Sequence, residues 1–274
     1  MSAHRSHPLA LVFALTALLF ATVYGAFAGS VEAAPTLQSN TCLVEATGDN
    51  NTDYSSADAS ALQTAVNNAT AGDTLKVAGT CAGVQTQNSR TQTVYINKNI
   101  TIRGGYTAGN WNTIPNPAVN ETVLDAGSNG RVVYITNNAN VTLSNLTLRN
   151  GESNNGGGDD WGGGIYADPG TSVTFENGRI ENSQAGFGGA IMTYEAPLLL
   201  DNSTLSGNTA SSAGGGIYAI NLPVTITHSS LVSNTANGGG GGISSDGAPV
   251  LIEHSTFSDN QLTSASGDGG ALSA

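Results

Sequence analysis

In the second half of the chain, apolar and polar residues alternate over short runs, as in Val224-Thr225-Ile226-Thr227. A period of two is that of a strand with one buried face, not that of an amphipathic helix. The runs are bounded by Gly, Asn, Ser and Pro, residues that turn the chain. They also recur on a fixed beat. Ile165, Ile191, Ile217 and Ile243 stand 26 residues apart, each after a small, glycine-rich triplet, and Leu272 follows after 29, with extra residues in the polar stretch 264–268. Leu198, Val224 and Val250 keep the same beat, as do Leu200, Ile226 and Ile252, then Leu205, Leu231 and Phe257, and finally Asn182, Asn208, Asn234 and Asn260. Independent columns on one period define a structural repeat.

One such repeat cannot bury its own apolar face. Stacked as coils about 4.8 Å apart, the repeats pair every strand in parallel with its counterpart in the next coil. The expected fold is therefore all-β, a parallel β-helix. Leu200 stacks on Ile226, and Ile226 on Ile252, inside the tube. The glycine pairs mark bends that a Cβ would forbid. The Asn column is expected to form a corner ladder of side-chain amides.

The first half is less regular. Asp58 is the expected N-cap of a helix over 58–71, with Leu62, Ala65, Val66 and Ala69 on its apolar face and Gly72 at its end. This short N-terminal capping helix is expected to cover the open end of the tube. Strands are expected over 74–77, 93–96, 100–103, 122–124, 132–135 and 141–148. Residues 105–120, with Trp111 and Pro115, read as a loop thrown out from the stack.

Charge narrows the partners. The formal net charge is -12 with only eight Lys and Arg, which disfavours nucleic acid and anionic headgroups. The N-terminus carries His4 and Arg5, an apolar run over 9–23 and small-residue cleavage sites at Ala26-Phe27-Ala28 and Val31-Glu32-Ala33. Residues 1–33 thus read as a secretory signal, and the run is shorter than the roughly 20 residues a spanning helix needs. No later segment is apolar enough to span a membrane. The expected organisation is 1–33 signal, 34–150 cap and irregular coils, and 151–274 regular repeats. The expected localisation is secreted or cell-surface. Cys42 and Cys81 are the only cysteines, and in an exported chain an even pair is most simply one disulfide. The chain stops inside the fifth glycine-rich marker with no polar cap. A longer natural protein is expected, with a last coil that frays or self-associates.

The alternation of Gly-Gly-[Ala/Gly]-[Ile/Leu] with Phe257-Ser-Asp-Asn260 and Leu205-Ser-Gly-Asn208 resembles the repeats of chlamydial polymorphic outer membrane proteins. It is also similar to exported bacterial proteins of the pectin-lyase-like fold. The opening segments Ala61-Leu62-Gln63, 71–75, 102–106 and 122–126 resemble the start of such proteins. The resemblance covers 42–274 and implies a right-handed parallel β-helix. It implies no single activity, because that superfamily holds lyases and hydrolases beside non-catalytic surface proteins.

Candidate chemistry is sparse. A pectate lyase, as the resemblance implies, needs clustered carboxylates for Ca²⁺ and a nearby cationic base. Glu176, Asp201 and Glu253 fall in one outward column, interrupted by Thr227, and no Arg or Lys follows Arg179. Asp159, Asp160 and Trp161 form the one acidic pair beside an aromatic, a possible sugar platform in a Gly-rich loop. His228 and His254 share a column after Asn177 and Asn202, and Tyr166 and Tyr218 share one with Met192 and Ser244. Both columns are read as packing ladders. No metal site is assigned and no cofactor is expected, Ca²⁺ entering only with the lyase reading. The leading reading is a non-catalytic, adhesin-like scaffold that binds extracellular polysaccharide or cell-surface ligands. The alternatives are a polysaccharide lyase or glycoside hydrolase, and a structural spacer for a further C-terminal domain.

Overall fold

The computed structural model describes residues 40–153, 160–265, 267 and 269–273. The expected signal segment lies outside them. The described residues wind as a parallel β-helix with three long walls and one short one. The first wall runs through Ile100–Arg103, Asn140–Ser144, Ser172–Glu176, Leu198–Asp201, Val224–Thr227 and Val250–Glu253. The second runs through Val123–Asp125, Thr147–Arg149, Arg179–Glu181, Thr204–Ser206, Ser230–Val232 and Thr256–Ser258. One nine-residue strand, Thr74–Ala82, starts both: its first residues pair with Thr101–Arg103 and its last with Val123–Asp125. The third wall carries Arg90–Ile96, Arg131–Ile135, Ile165–Ala167, Ile191–Tyr194, Ile217–Ile220, Ile243–Asp246 and Leu272–Ser273. A short wall, Glu152–Ser153 through Gln184–Phe187 to Gln261–Leu262, closes the coil between the second and third.

The apolar columns stack as the repeat demands. Phe175, Leu200, Ile226 and Ile252 are in register on the first wall. Ile180, Leu205, Leu231 and Phe257 are in register on the second. Ile165, Ile191, Ile217, Ile243 and Leu272 are in register on the third. All but the last coil's members are fully buried; there Ile252 is 37% exposed and Leu272 41%.

The corners are held by side-chain ladders. Asn208 Nδ2 donates to Asn234 Oδ1 at 2.9 Å, and Asn234 Nδ2 to Asn260 Oδ1 at 3.0 Å. Asn182, expected in this column, is not in it. The Asn208 side-chain oxygen accepts instead from the Ser183 amide, at 3.0 Å. The turn after Ala167 is one residue longer than the turn after Thr193, so Val173 pairs with Leu198 rather than the residue before it. A bulge between Gln184–Phe187 and Thr209–Ala213 restores the beat. Asn182 falls one residue early, at a left-handed corner (φ 52°) matched by Gly207 (φ 64°). A second ladder escaped the sequence reading: the Ser203 amide donates to Ser229 Oγ and the Ser229 amide to Ser255 Oγ, both at 3.1 Å.

The cap differs in detail from expectation. The helix spans Ser60–Asn68, two residues shorter at the start and three at the end, with Ala59 at the N-cap position. Asp58 acts from one residue further out, where its Oδ1 accepts the Ser60 amide at 2.9 Å, and Ser56 Oγ accepts the Ala61 amide. Gly72 does not end the helix. Ala69 turns extended, and Lys98 Nζ takes up the freed carbonyls of Asn67 and Ala69. Gln63 satisfies a strand edge directly, because its Oε1 accepts the Tyr95 amide and its Nε2 donates to the Tyr95 carbonyl. Beside the helix, Cys42–Glu45 pairs antiparallel with both Tyr54–Ser56 and Thr74–Ala82. Cys42 and Cys81 are disulfide-bonded and buried. The run expected as one strand over 141–148 is two, broken at Asn145, which has φ 57°. The 105–120 loop folds back in part, with Trp111 buried against Tyr106 and Ala78 and its Nε1 donating to Thr52.

Candidate functional site: the aromatic outer wall

On the third wall, residues alternate inward and outward. Ile165 and Ala167 point into the tube, so Tyr166 points out. The outward column runs Tyr95, Tyr134, Tyr166, Met192, Tyr218 and Ser244, each beside the next coil's member. Tyr95 and Tyr134 stack at 5.5 Å with rings 7° apart, and Tyr134 meets Tyr166 edge-on at 5.3 Å. These residues make a second apolar cluster, outside the tube. The column begins before the regular repeats, with gaps of 39 and then 32 residues, so the 26-residue beat does not reveal it. The shared apolar-Tyr-apolar triplets (Val94-Tyr95-Ile96, Val133-Tyr134-Ile135, Ile165-Tyr166-Ala167) are the signal that does.

Arg131 is the anchor of this wall. Only 2% exposed, it donates to the carbonyls of Trp161 and Gly162 and to Ser153 Oγ. Its guanidinium lies over the rings of Tyr134 and Tyr166, 5.3 and 5.1 Å from their centroids. The Tyr134 hydroxyl donates to Asp168 at 2.7 Å. Burial, and then Asp168, raise the pKa of Tyr134 and of Tyr166 far above the usual tyrosine value. Both hydroxyls therefore stay protonated at neutral pH.

Beside the buried rings lies a half-buried set of Trp161, Phe187, Tyr194 and Tyr218, with Tyr218 the next member of the outward column after Met192. Trp161 packs on Tyr166 at 5.5 Å and on Tyr194 at 5.9 Å, while Phe187 meets Tyr218 at 5.0 Å. Of the sequence candidates in this region, Trp161 is therefore part of a larger aromatic surface. Asp160 stands next to it, half-buried, its carbonyl bonded to the Phe187 amide. Asp159 lies outside the described residues.

The acidic column keeps one register, with its side chains spread over successive coils. Glu176, Asp201, Thr227 and Glu253 follow one another on the outer first wall. Asp201 and Glu253 are separated by a whole intervening coil, roughly 9.6 Å at the strand spacing. A calcium ion takes six to eight oxygens at about 2.3–2.6 Å, and along this column only Glu176 and Asp201 stand on adjacent coils. Asp201 is engaged locally: Thr227 Oγ1 donates to it at 2.6 Å and His228 Nδ1 lies 3.2 Å away, and these contacts hold its carboxyl below the usual range. Among the described residues no three His, Cys, Asp or Glu side chains are placed to hold a metal ion. The residues present do not fit the calcium centre of a lyase. Continued toward the N-terminus, the column passes Ser144 to Arg103 and Lys76, cations the sequence reading had not aligned with it. Lys76 is paired with Glu45 at 2.9 Å. His228 and His254 stack at 5.3 Å beyond Asn177 and Asn202, a ladder as expected. No helix among the described residues is long and apolar enough to cross a membrane.

No curated protein and no solved structure matches the chain. A family model described as right handed beta helix region matches residues 131–273. That span takes in every regular coil and the aromatic wall from Tyr134 onward, and the chain belongs to the right-handed β-helix family.

Proposed function

We infer that this protein is an exported, non-catalytic β-helix scaffold that presents its outer walls to ligands at a cell surface. The spread of the first-wall charges carries the reading. Removing a proton beside a uronate carboxylate needs metal, carboxylates and a cationic base at one place. Here Arg103 stands two coils from Glu176, and Asp201 stands two from Glu253. The buried Cys42–Cys81 disulfide supports an oxidising compartment. The tube's rigidity, set by ladders at its corners, suits display.

The test is incubation with polygalacturonate and Ca²⁺, read by the absorbance of unsaturated products. No turnover is expected. Turnover abolished by Asp201→Ala or Glu253→Ala overturns the reading in favour of a lyase.

A further inference from the structure

We propose that Trp161, Phe187, Tyr194 and Tyr218 form a strip that binds an uncharged polysaccharide chain along the tube axis. The proposal rests on the scaffold reading and names the ligand class of one wall.

The layering is the first argument. Tyr134, Tyr166 and Met192 already seal the outer third wall, each 5% exposed or less. The four rings beside them are only half-buried, so part of each stays in contact with water. Rings that are apolar on the face and polar at the edge suit ligands that are themselves amphipathic, as sugar rings are.

The direction of the strip is the second. Met192 and Tyr218 occupy successive coils, as do Tyr194 and Ile220, and Trp161 bridges to Phe187 from the coil before. Successive coils lie about 4.8 Å apart along the axis. The apolar surface is therefore elongated, which fits an extended chain better than a single small ligand.

Charge is the third. Glu195 and Asp246 flank the strip, both exposed, and Asn221 Nδ2 donates to Glu195 Oε1 at 3.3 Å. Asp246 follows Ile220 in register, and its charge, after burial, helps raise the pKa of Tyr218. Carboxylates and an amide can accept from and donate to sugar hydroxyls. They repel uronates and sulfates. Of the cations on this wall, Arg131 is buried beneath the strip and committed to carbonyls, Ser153 and two rings, and Arg90 lies over the Tyr134 ring, one coil before Tyr166. The rim thus selects a neutral glycan over an acidic one.

The experiment uses the full chain with three soluble probes: hydroxyethylcellulose (neutral), polygalacturonate (anionic) and chitosan oligosaccharide (cationic). Binding is read by retardation in affinity gels and by tryptophan emission. Trp161 is half-buried and the other tryptophan, Trp111, is buried elsewhere. Retardation by hydroxyethylcellulose with an emission shift is expected. A variant carrying Phe187→Ala and Tyr218→Ala, with an unchanged melting temperature, should bind roughly tenfold more weakly or worse. Should that variant fail to fold, the exposed pair Glu195→Lys and Asp246→Lys decides. It should retain neutral-glycan binding and gain polygalacturonate binding. Wild-type preference for polygalacturonate or chitosan, no binding to hydroxyethylcellulose, or binding untouched by both variants overturns the proposal. Absence of glucan binding leaves the lyase assay, and the scaffold reading it tests, where they were.

Discussion

Asn208 gives the side-chain oxygen of Asn234 two hydrogen bonds, one from its backbone amide at 3.1 Å and one from its own Nδ2 at 2.9 Å. Asn234 passes the pattern on, donating from its amide and Nδ2 to Asn260, and its Nδ2 also reaches the Leu205 carbonyl at 2.9 Å. Both Asn208 and Asn234 are fully buried. Each ladder member therefore holds a corner carbonyl of the preceding coil and spans to the next coil.

This predicts a sharp contrast between two asparagines on the same 26-residue spacing. Asn234→Ala strands two donors of Asn208 and the Leu205 carbonyl in a dry corner. It should cost about 2–4 kcal/mol in denaturant unfolding, since each unpaired buried group costs roughly 1–3 kcal/mol. Asn182 is off the ladder and exposed, in a left-handed turn whose counterpart is Gly207. Asn182→Gly should stay within about 0.5 kcal/mol of the native chain. Equal losses at both sites would place Asn182 in the ladder after all.

The glycine triplets predict a gradient within three adjacent residues. Gly214 has φ 68°, and a Cβ on it would meet the Ile217 carbonyl oxygen at 2.3 Å. A Cβ on Gly215 would meet the backbone oxygens of Thr235 and Gly241 at 2.4 and 2.5 Å. Neither neighbour is a side chain that can swing away. A Cβ on Gly216 would meet one backbone oxygen, that of Gly242, at 2.5 Å, but Gly216 lies in register with Ala190, which carries a buried Cβ. Gly215→Ala should therefore lower the unfolding free energy by more than 3 kcal/mol, about the upper end of ordinary substitutions. Gly216→Ala should lower it by less. Far-UV circular dichroism with urea titration of the two variants gives the order directly.

The regular coils were readable because coil geometry itself imposes the period. Leu200, Ile226 and Ile252 could be stacked from spacing alone. Period alone fails where the chain absorbs one residue in a turn and releases it in a bulge. That is why Asn182 looked like a ladder member and Ser183 did not. It fails again for Tyr95 and Tyr134, whose coils carry long loops, so the aromatic wall was visible only from Tyr166 onward and passed as packing. The acidic column was placed in correct register. Its engagement by Thr227 and His228 depends on side-chain positions that no spacing encodes. The antiparallel strand Cys42–Glu45 was missed for a related reason: its partners are fixed by the cap and the disulfide, not by a repeat.

Acid should expose one ion-pair corner. Asp125 accepts from Arg149 Nε at 2.8 Å and from Asn150 Nδ2 and the Gly127 amide, both at 2.9 Å. Burial raises its pKa, but these bonds together, Asn150 and Arg149 foremost, outweigh it and leave the carboxyl below its usual value. A folded-state value below the unfolded one, about 3.9, means the stabilisation is present above that pH and lost as pH falls through the folded value. Asp125→Asn should thus cost about 1.5 kcal/mol at pH 7, in the range of charge-assisted hydrogen bonds. The gap between variant and native chain should shrink toward pH 3. A gap independent of pH between 7 and 3 would assign the loss to packing rather than to the charge.

Inside the tube, the same physics predicts a gain. Thr193 lies in register between Ala167 and Ala219 on the inner third wall and is fully buried. Among the described residues its hydroxyl has no hydrogen-bond partner, a condition shared with Thr93. A hydroxyl removed from water without a partner costs roughly 1–3 kcal/mol, whereas valine presents a methyl of nearly the same size. The neighbouring alanines leave room for that methyl along the stack. Thr193→Val should therefore stabilise the coil by about 1 kcal/mol and raise the melting temperature, while Thr193→Ala leaves a cavity and lowers it. Calorimetry on the pair separates the two effects. A destabilised Thr193→Val would mean that the hydroxyl has a partner, most simply an ordered water bridging to a backbone carbonyl of the wall.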